Sequence, residues 1–365
     1  MNHTKKILVL VPDLRLPGGV TNYYNALKLE VSANVEYFTV NSYKQESAIM
    51  TVFRMFKNYF RFFFLLIKKR FDIIHINPSL DRRSFYRDFG FIMISRVMRR
   101  KKLVFFRGWN DEYEEKIRKN KFRSYLFRIS YAKADRYIVL SGMFKKKLIQ
   151  MGVPASVPFS IETTVADSSF INELNLEKKY LGSLSNLQFL FISRIEKEKG
   201  VFIAIDAFND FLTKNPGVHA KLVIAGDGPA LPEAKKYVDE KKITGVEFLG
   251  NVRGEKKKKA LLESHIMLFP TYYGEGMPNS VLEGMLYGMP VVSRNNAGIP
   301  DVVEHGVNGY LTDSIEPSVF TDFLTNLTSD KEILKKMAWN NNQKGIQLFT
   351  TEKVRDRILK IYEQV

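Results

Sequence analysis

Short apolar runs alternate with longer amphipathic stretches along the chain. In the first 150 residues, five short runs predict buried strands, at 6–12, 35–40, 71–77, 102–108 and 135–141. Helical spacing of apolar residues falls between them, at 17–30, 48–69 and 82–100. Strands that alternate with helices predict a parallel sheet covered on both faces.

The same alternation restarts in the second half. Residues 151–185 lack periodicity and carry Pro154 and Pro158, so we interpret them as a linker. Later strands are predicted at 187–194, 220–228, 246–250, 266–270, 289–294 and 309–312, and helices at 199–214, 231–242, 254–264 and from about 280. A chain of 365 residues is too long for one ordinary core. We therefore predict an α/β protein with doubly wound domains at 1–165 and 166–345, followed by a terminal segment, 346–365, that carries an amphipathic helix.

The amino-acid composition indicates the cellular compartment in which we expect the protein. The chain has no cysteine, which excludes disulfides and thiol chemistry and fits a reducing cytosol. The apolar run Ile7 to Val11 is too short for a signal-peptide core, and the run "FFFLLI" is too short for a membrane span. We therefore expect a cytoplasmic protein that is soluble or rests on a surface.

Positive charge is concentrated at one end of the chain. Residues 1–150 hold 31 basic and 12 acidic residues, a balance of +19, and the remaining 25 and 27 give −2. Such asymmetry favours an anionic partner, which would be nucleic acid, anionic lipid or a phosphorylated substrate. A solvated basic surface is the simpler alternative.

Residues 51–70 combine six basic residues with many aromatic ones and no acidic residue. Helical spacing places Phe53, Phe56, Phe60, Phe63 and Ile67 in one stripe, which we predict to be core. A second stripe contains Val52, Met55, Tyr59, Phe62 and Leu66. Aromatic and basic residues together are typical of a helix in the interface of an anionic bilayer. Our candidates for membrane contact are Arg54, Lys57, Arg61, Phe62, Lys68 and Lys69.

The stretch "YYGEGMPNSVLEGMLYGMP" places Glu275 and Glu283 eight positions apart. Pro278 and Ser280 indicate a helix start, and Ser280 with Glu283 has capping-box spacing. Glu275 lies in the preceding loop, where helix formation gives it no role. Because a helix start presents unpaired N–H groups and a positive dipole end, it suits a phosphate or a polar sugar.

The segment from "PTYYGEGMPNSVLEGM" to "VNGYLT" closely resembles the donor-site signature of retaining glycosyltransferases of family 4, the group 1 glycosyltransferases. The resemblance implies that Glu275 contacts the donor sugar and Glu283 the ribose of the nucleotide. The segment "SRIEKEKG" is also similar, which implies diphosphate binding by Arg194 and Lys199, without a metal. Loop positions implied to meet the donor are Gly276, Met277, Pro278, Asn279, Ser280, Gly226, Asn251 and Val252.

The resemblance is specific over about 190–315 and only architectural over 1–150. There it implies that Gly18 and Gly19 form a loop near the diphosphate. His75, Arg107, Trp109 and Asn110 are candidates for contact with the acceptor or the sugar, although a packed or capped His75 is an equal alternative. Many relatives carry a histidine where this chain has Arg107. Arginine does not act as a base at neutral pH, but it can bind an anionic sugar or an acceptor phosphate.

Together these residues imply a GT-B fold, with two facing Rossmann-like domains and a terminal helix that packs back on the first. The implied activity is retaining transfer of a sugar from a UDP- or GDP-sugar, without a cofactor. The acceptor would be lipid-linked or a polysaccharide, in bacterial cell-surface glycan synthesis at the inner face of the cytoplasmic membrane. The alternatives are a sugar-nucleotide epimerase or hydrolase, a non-catalytic binder, and a nucleic-acid-binding protein, for which we find no reader motif.

Overall fold

The computed structural model describes residues 5–16, 18–32, 34–41, 47–181, 186–274 and 276–365. These fall into two compact units. The first covers the described residues within Met1–Thr164, Gly274–Gly276 and Thr351–Val365, and the second those within Val165–Tyr273 and Met277–Thr350.

The first unit is built on a parallel sheet with the strand order β2-β1-β3-β5-β7-β8. Its strands are β1 (Ile7–Val11), β2 (Val35–Thr39), β3 (Ile73–Ile76), β4 (Ser79–Leu80), β5 (Lys101–Phe106), β6 (Gly108–Trp109), β7 (Arg136–Val139) and β8 (Phe159–Ile161). The short strands β4 and β6 pair separately. Its helices are α1 (Gly19–Leu27), α2 (Ala48–Lys68), α3 (Arg82–Val97), α4 (Asp111–Lys119), α5 (Lys121–Ile129) and α6 (Gly142–Gln150).

The second unit repeats this plan with the strand order β11-β10-β9-β12-β13-β14. Its strands are β9 (Asn186–Ile192), β10 (His219–Ala225), β11 (Val246–Gly250), β12 (Ile266–Phe269), β13 (Val291–Arg294) and β14 (Gly309–Thr312). Its helices are α7 (Leu176–Leu181), α8 (Val201–Lys214), α9 (Leu231–Glu240), α10 (Gly254–Glu263), α11 (Asn279–Leu286), α12 (Ile299–Val302), α13 (Pro317–Ser329) and α14 (Lys331–Leu348).

The predicted α/β class with two doubly wound, parallel sheets is confirmed. Central strands such as β1 and β12 are buried along their whole length, because helices cover both faces of a parallel sheet. The interpretation of 151–185 as a linker is wrong. That stretch contains the edge strand β8 and the helix α7, which are too short to show a clear period.

The last helix, α15 (Thr351–Glu363), belongs to the first unit. The helix before it continues to Leu348, beyond the predicted boundary at 345. From α15, Arg357 donates a hydrogen bond to Glu162 over 2.7 Å, and Arg355 donates one to the carbonyl of Leu27 over 2.7 Å. The chain therefore leaves the first unit, builds the second, and returns to finish the first.

The prediction for the two stripes of α2 is reversed by the structure. Phe62 and Leu66 are fully buried, and the Phe62 ring packs 5.4 Å from Phe38 and 5.2 Å from Phe91. Phe53 is 67% exposed and Phe60 is 64% exposed. Phe62 is therefore a core residue and no candidate for membrane contact. The helix faces the sheet with the stripe that contacts β2 and α3.

The exposed side of α2 is apolar and carries cations. Exposed apolar residues of the helix are Ile49, Met50, Val52, Phe53, Phe56, Phe60, Phe64 and Ile67. With Tyr37 and Phe38 of β2, several of them line a groove of 940 Å³, beside Lys57, Arg61 and Lys68. Lys69 is paired with Glu36 at 2.8 Å. Within the described ranges, no helix is both long enough and apolar enough to span a membrane.

Candidate functional site

The loops at the carboxyl ends of β9, β10, β11 and β12 meet at one edge of the second sheet, because all these strands run parallel. Tyr272 donates a backbone hydrogen bond to the carbonyl of Glu198 over 2.9 Å. Gly226 donates one to the carbonyl of Gly250 over 2.7 Å. A Cβ at Gly226 would lie 1.8 Å from the carbonyl oxygen of Ser193, so only glycine allows this close crossing.

Two cations follow β9 at this edge. The Arg194 side chain is 70% exposed and contacts Glu196, with 3.1 Å between Nη1 and Oε1. Lys199 closes a 3₁₀ turn and is buried, with its Nζ 3.9 Å from the centre of the Tyr273 ring. Burial is the main cause that lowers the pKa of Lys199 to about 8. A buried cation at the carboxyl edge of a parallel sheet is suited to bind an anion.

The helix α11 begins at Asn279, after Pro278, and receives no side-chain cap from the residues that the structure describes. The capping-box interpretation of Ser280 and Glu283 is therefore wrong, because Ser280 lies inside the first turn. Among the loop residues, Met277 and Val252 are buried, whereas Asn279 and Asn251 are exposed. The start of α11 thus keeps its positive dipole end at the same edge as the two cations.

The Glu283 carboxylate is held by a lysine that the sequence did not identify. Glu283 is 8% exposed, and its Oε1 accepts a hydrogen bond from Nζ of Lys257 over 2.9 Å. The same Nζ donates to Oδ2 of Asp167 over 2.9 Å. Burial raises the pKa of Glu283, and the charge of Lys257 opposes that rise. The pKa of Asp167 is lowered, despite burial, by hydrogen bonds from Ser169 and Lys257.

The sequence carries little signal for these two partners. Lys257 stands in the run "EKKKK", which is typical of a solvated surface, and Asp167 falls in the stretch that we interpreted as a linker. The position of Lys257 around α10 distinguishes it from the neighbouring lysines only when the side of the helix that faces the sheet is known. Glu275 lies outside the described residues, so its position is left to the sequence. Gly276 is described and falls within the first unit.

In the first unit, Gly18 and Gly19 lie at the start of α1, beside a cavity of 220 Å³. This cavity is also lined by Asn77, Arg87 and Asp88. The two latter side chains form an ion pair at 2.7 Å, and the Asp88 carboxylate is almost fully buried. The two glycines therefore border a small cavity of mixed polarity at the carboxyl edge of their own sheet.

His75 is packed inside the first unit. It is fully buried, with Nδ1 2.7 Å from the Tyr362 hydroxyl of α15 and Nε2 3.4 Å from the Tyr24 hydroxyl. Burial, with a smaller contribution from Arg107, lowers its pKa to about 3. The ring is therefore neutral at physiological pH and has polar neighbours at both nitrogens. Of the two alternatives for His75, the structure shows the packed one.

Three candidate residues follow β5. Trp109 and Asn110 form structural hydrogen bonds, and Arg107 differs from them. Trp109 donates from Nε1 to Oε2 of Glu114 over 2.9 Å, and Asn110 caps α4 by accepting from the N–H of Tyr113 over 2.7 Å. Arg107 is 9% exposed, and its guanidinium lies 3.9 Å from the Tyr23 ring centre and 4.4 Å from that of Phe105. Its Nε and Nη1 have no hydrogen-bond partner among the described residues.

Comparison with known proteins gives a family match for most of the second unit. Residues 175–344 match the family "Glycosyl transferases group 1". An uncharacterized glycosyltransferase of Methanocaldococcus jannaschii is 26% identical over 84% of this chain and 79% of its own length. The amylovoran biosynthesis glycosyltransferase AmsK of Erwinia amylovora is 29% identical over 50% of this chain and 44% of its own. N-acetyl-alpha-D-glucosaminyl L-malate synthase of Bacillus anthracis is 30% identical over 52% and 49%.

Solved structures extend the similarity to the whole chain. Anabaena HepE in complex with UDP superimposes with a TM-score of 0.73 and 19% identity, over 99% of this chain and 100% of HepE. The lipopolysaccharide outer core galactosyltransferase WaaB gives 0.70 and 16%, over 99% and 100%. The protein therefore has the GT-B fold. Residues 175–344, a little less than half of the chain, match the group 1 glycosyltransferases, and a glycosyltransferase of amylovoran biosynthesis is among the relatives.

Proposed function

We propose that the protein is a retaining glycosyltransferase that transfers a sugar from a UDP- or GDP-sugar to an acceptor hydroxyl in bacterial cell-surface glycan synthesis. The observation that supports this best is the carboxyl edge of the second sheet. Within the stretch that matches the group 1 family, Arg194 and Lys199 follow β9, and the start of α11 and the buried Glu283 follow β12.

In this proposal the cations meet the nucleotide's diphosphate. When the bond to the sugar breaks, negative charge grows on that diphosphate, and fixed positive groups stabilise it most in a site that excludes water. Arg194 and Lys199 supply that charge, so we propose that no metal is needed. Glu283 accepts hydrogen bonds from the ribose hydroxyls, and Glu275 contacts the sugar. The departing phosphate takes the acceptor's proton on the face where the new bond forms, which retains the anomeric configuration.

The first experiment is calorimetric titration of UDP, GDP and ADP, in the presence of EDTA, into the wild type and Arg194→Ala. We expect one nucleotide to bind the wild type and to bind the variant about ten- to hundredfold more weakly. Lys236→Ala, which removes an exposed cation of α9, is the matched control and should bind normally. Absence of binding by all three nucleotides would contradict the proposal. Binding that appears only after magnesium is added would contradict its metal-independent part.

The transfer itself is tested by product analysis. With a suitable acceptor, the anomeric proton coupling of the product, measured by NMR, should match that of the donor sugar. An inverted product would exclude the retaining mechanism. Consumption of the donor without a new glycosidic bond would favour a hydrolase or an epimerase instead.

We further propose that the first unit attaches peripherally to the inner face of the cytoplasmic membrane, where a lipid-linked acceptor is available. The support is the exposed side of α2, with five exposed aromatic or aliphatic side chains from Phe53 to Ile67 and no acidic residue in the helix. Apolar groups enter the acyl boundary while Lys57 and Lys68 meet anionic headgroups.

Co-sedimentation with vesicles of phosphatidylcholine and phosphatidylglycerol tests this attachment. We expect Phe56→Ser with Phe60→Ser to release the protein from the vesicles. The matched control, Trp339→Ser with Ile346→Ser, removes exposed apolar groups of α14 and should leave sedimentation unchanged. Equal sedimentation of both double variants would contradict this role of α2. Self-association of the wild type would also contradict it if Phe56→Ser with Phe60→Ser abolishes that association.

A further inference from the structure

The second unit holds a three-membered charge cluster whose central member is Lys257. This lysine lies on α10, Glu283 lies on α11, and Asp167 lies on the segment before α7, so three separate elements converge on one ammonium group. Both distances from Nζ are 2.9 Å. The Lys257 side chain is 19% exposed and that of Glu283 is 10% exposed. Burial of this kind makes a charge pair sensitive to the loss of either partner.

We propose that Lys257, held in place by Asp167, is a positioning residue that fixes the Glu283 carboxylate for recognition of the nucleotide's ribose. This inference rests on the proposed function, because Glu283 is the ribose-binding residue there. Lys257 contacts Oε1 of Glu283, which sets the orientation of the carboxylate and keeps it ionised in a buried site. Asp167 occupies a second N–H of the ammonium group and is itself fixed by Ser169, whose hydroxyl lies 2.6 Å from Oδ1.

The two partners of the cluster act on Glu283 with opposite signs. The positive charge of Lys257 lowers the pKa of Glu283, whereas the negative charge of Asp167 raises it. Removal of Lys257 should therefore shift the protonation of Glu283 to higher pH. Removal of the charge of Asp167 should shift it to lower pH. A merely structural ion pair would produce neither shift in a ligand-binding measurement.

The test compares a nucleoside diphosphate with its 2′,3′-dideoxy counterpart, which lacks both ribose hydroxyls. The affinity ratio of the two, measured by calorimetry between pH 5 and 8, reports the contacts of the ribose hydroxyls, which the proposed function assigns to Glu283. Because hydrogen bonds to a charged group contribute about 1.5–3 kcal/mol, we expect a ratio of about ten to one hundred in the wild type. The base is the one that binds in the titration of UDP, GDP and ADP.

In Lys257→Met we expect the ratio to fall close to one at neutral pH, while the affinity for the dideoxy compound is unchanged. In Asp167→Asn we expect the ratio to persist to lower pH than in the wild type. Lys258→Met is the matched control, because this neighbouring lysine pairs with Glu173 and Glu255 instead. It should leave the ratio and its pH dependence unchanged.

The outcomes separate this inference from the function on which it rests. If the wild type binds no nucleotide, the proposed function fails and takes the inference with it. If the wild type binds and Lys257→Met keeps the full ratio, only the positioning role is overturned. An equal loss of affinity for both compounds, with a lower melting temperature, would also overturn it, because that result describes a structural ion pair.

Discussion

The carboxyl edges of the two sheets use their polar side chains in different ways. In the second unit, Lys199 on the turn after β9 and Glu283 on α11 are buried ionisable residues. In the first unit, His75 and Asn110 occupy comparable strand-end positions, but their hydrogen bonds go to Tyr362 and to the backbone of Tyr113. A strand-end position therefore does not by itself indicate a ligand. The informative feature is a buried ionisable side chain at that edge.

The largest expected effect tests the difference between the two units at the buried residues Lys199 and His75. Lys199→Met should lower kcat/KM for sugar transfer by about 10²–10³-fold, because it removes a fixed cation from the diphosphate. His75→Leu should change kcat/KM less than tenfold and lower the melting temperature instead. Steady-state kinetics and thermal unfolding of both variants measure this. Equal kinetic losses would show that the two edges serve the reaction alike.

The pH dependence of nucleotide binding sharpens the same comparison. In the proposed function, Lys199 binds the diphosphate in its protonated form. Burial lowers the pKa of Lys199 to about 8 in the absence of ligand. Affinity should therefore be full below pH 8 and fall by up to about tenfold per pH unit above it. Calorimetry between pH 6.5 and 9.5 measures this dependence. Lys199→Arg, which stays protonated, should bind with an affinity that is flat over this range, and a falling curve in that variant would assign the titration to another group.

Arg107, in the first unit, resembles Lys199 and Glu283 of the second unit because its ionisable group is also buried. Arg107→Met removes two buried donor nitrogens that have no hydrogen-bond partner in the described part of the chain. It also loses the stacking on Tyr23 and Phe105. These effects oppose each other, so we expect the free energy of unfolding to change by only about 1 kcal/mol. We expect transfer activity to fall about tenfold if an anionic group of the substrate meets this guanidinium. A large loss of stability with normal activity would show that Arg107, like His75, has a structural role.

The smallest effect concerns the hydrogen bond between α15 and the first sheet. Tyr362→Phe removes the hydroxyl that lies 2.7 Å from His75 Nδ1 and leaves the ring in place. We expect it to lower the free energy of unfolding by about 1 kcal/mol, measured by urea denaturation. Nucleotide affinity should not change. Tyr125→Phe, which removes a hydroxyl from an exposed ring, is the control for the substitution itself.

Much of the fold follows from the order of apolar runs. The central strands, such as β1 and β12, are continuous apolar segments and were predicted within a few residues. The orientation of α2 was not, because a helix with two apolar stripes has the same period whichever stripe faces inward. Contacts with Phe38 and Phe91, which are distant in sequence, decide that Phe62 and Leu66 are buried.

Residues of the candidate site were predictable where the pattern that marks them lies within one short segment of the sequence. The spacing of Arg194 with Lys199 lies within one strand-end segment, and the helix that carries Glu283 follows directly from Pro278. Lys257 and Asp167 reach Glu283 from elements that are distant in sequence, so no local pattern marks them. The capping interpretation failed for a related reason, since the spacing of Ser280 and Glu283 does not fix which residue begins the helix.

The return of α15 to the first unit has a consequence for how the chain is made. Synthesis delivers the whole second unit before the helix that contributes Tyr362, Arg357 and Arg355 to the first. Domains commonly fold in the order in which they leave the ribosome. Here the later unit has all of its segments available first, while the earlier one waits for the side chain that meets its buried histidine. The order of completion is therefore the reverse of the order of translation.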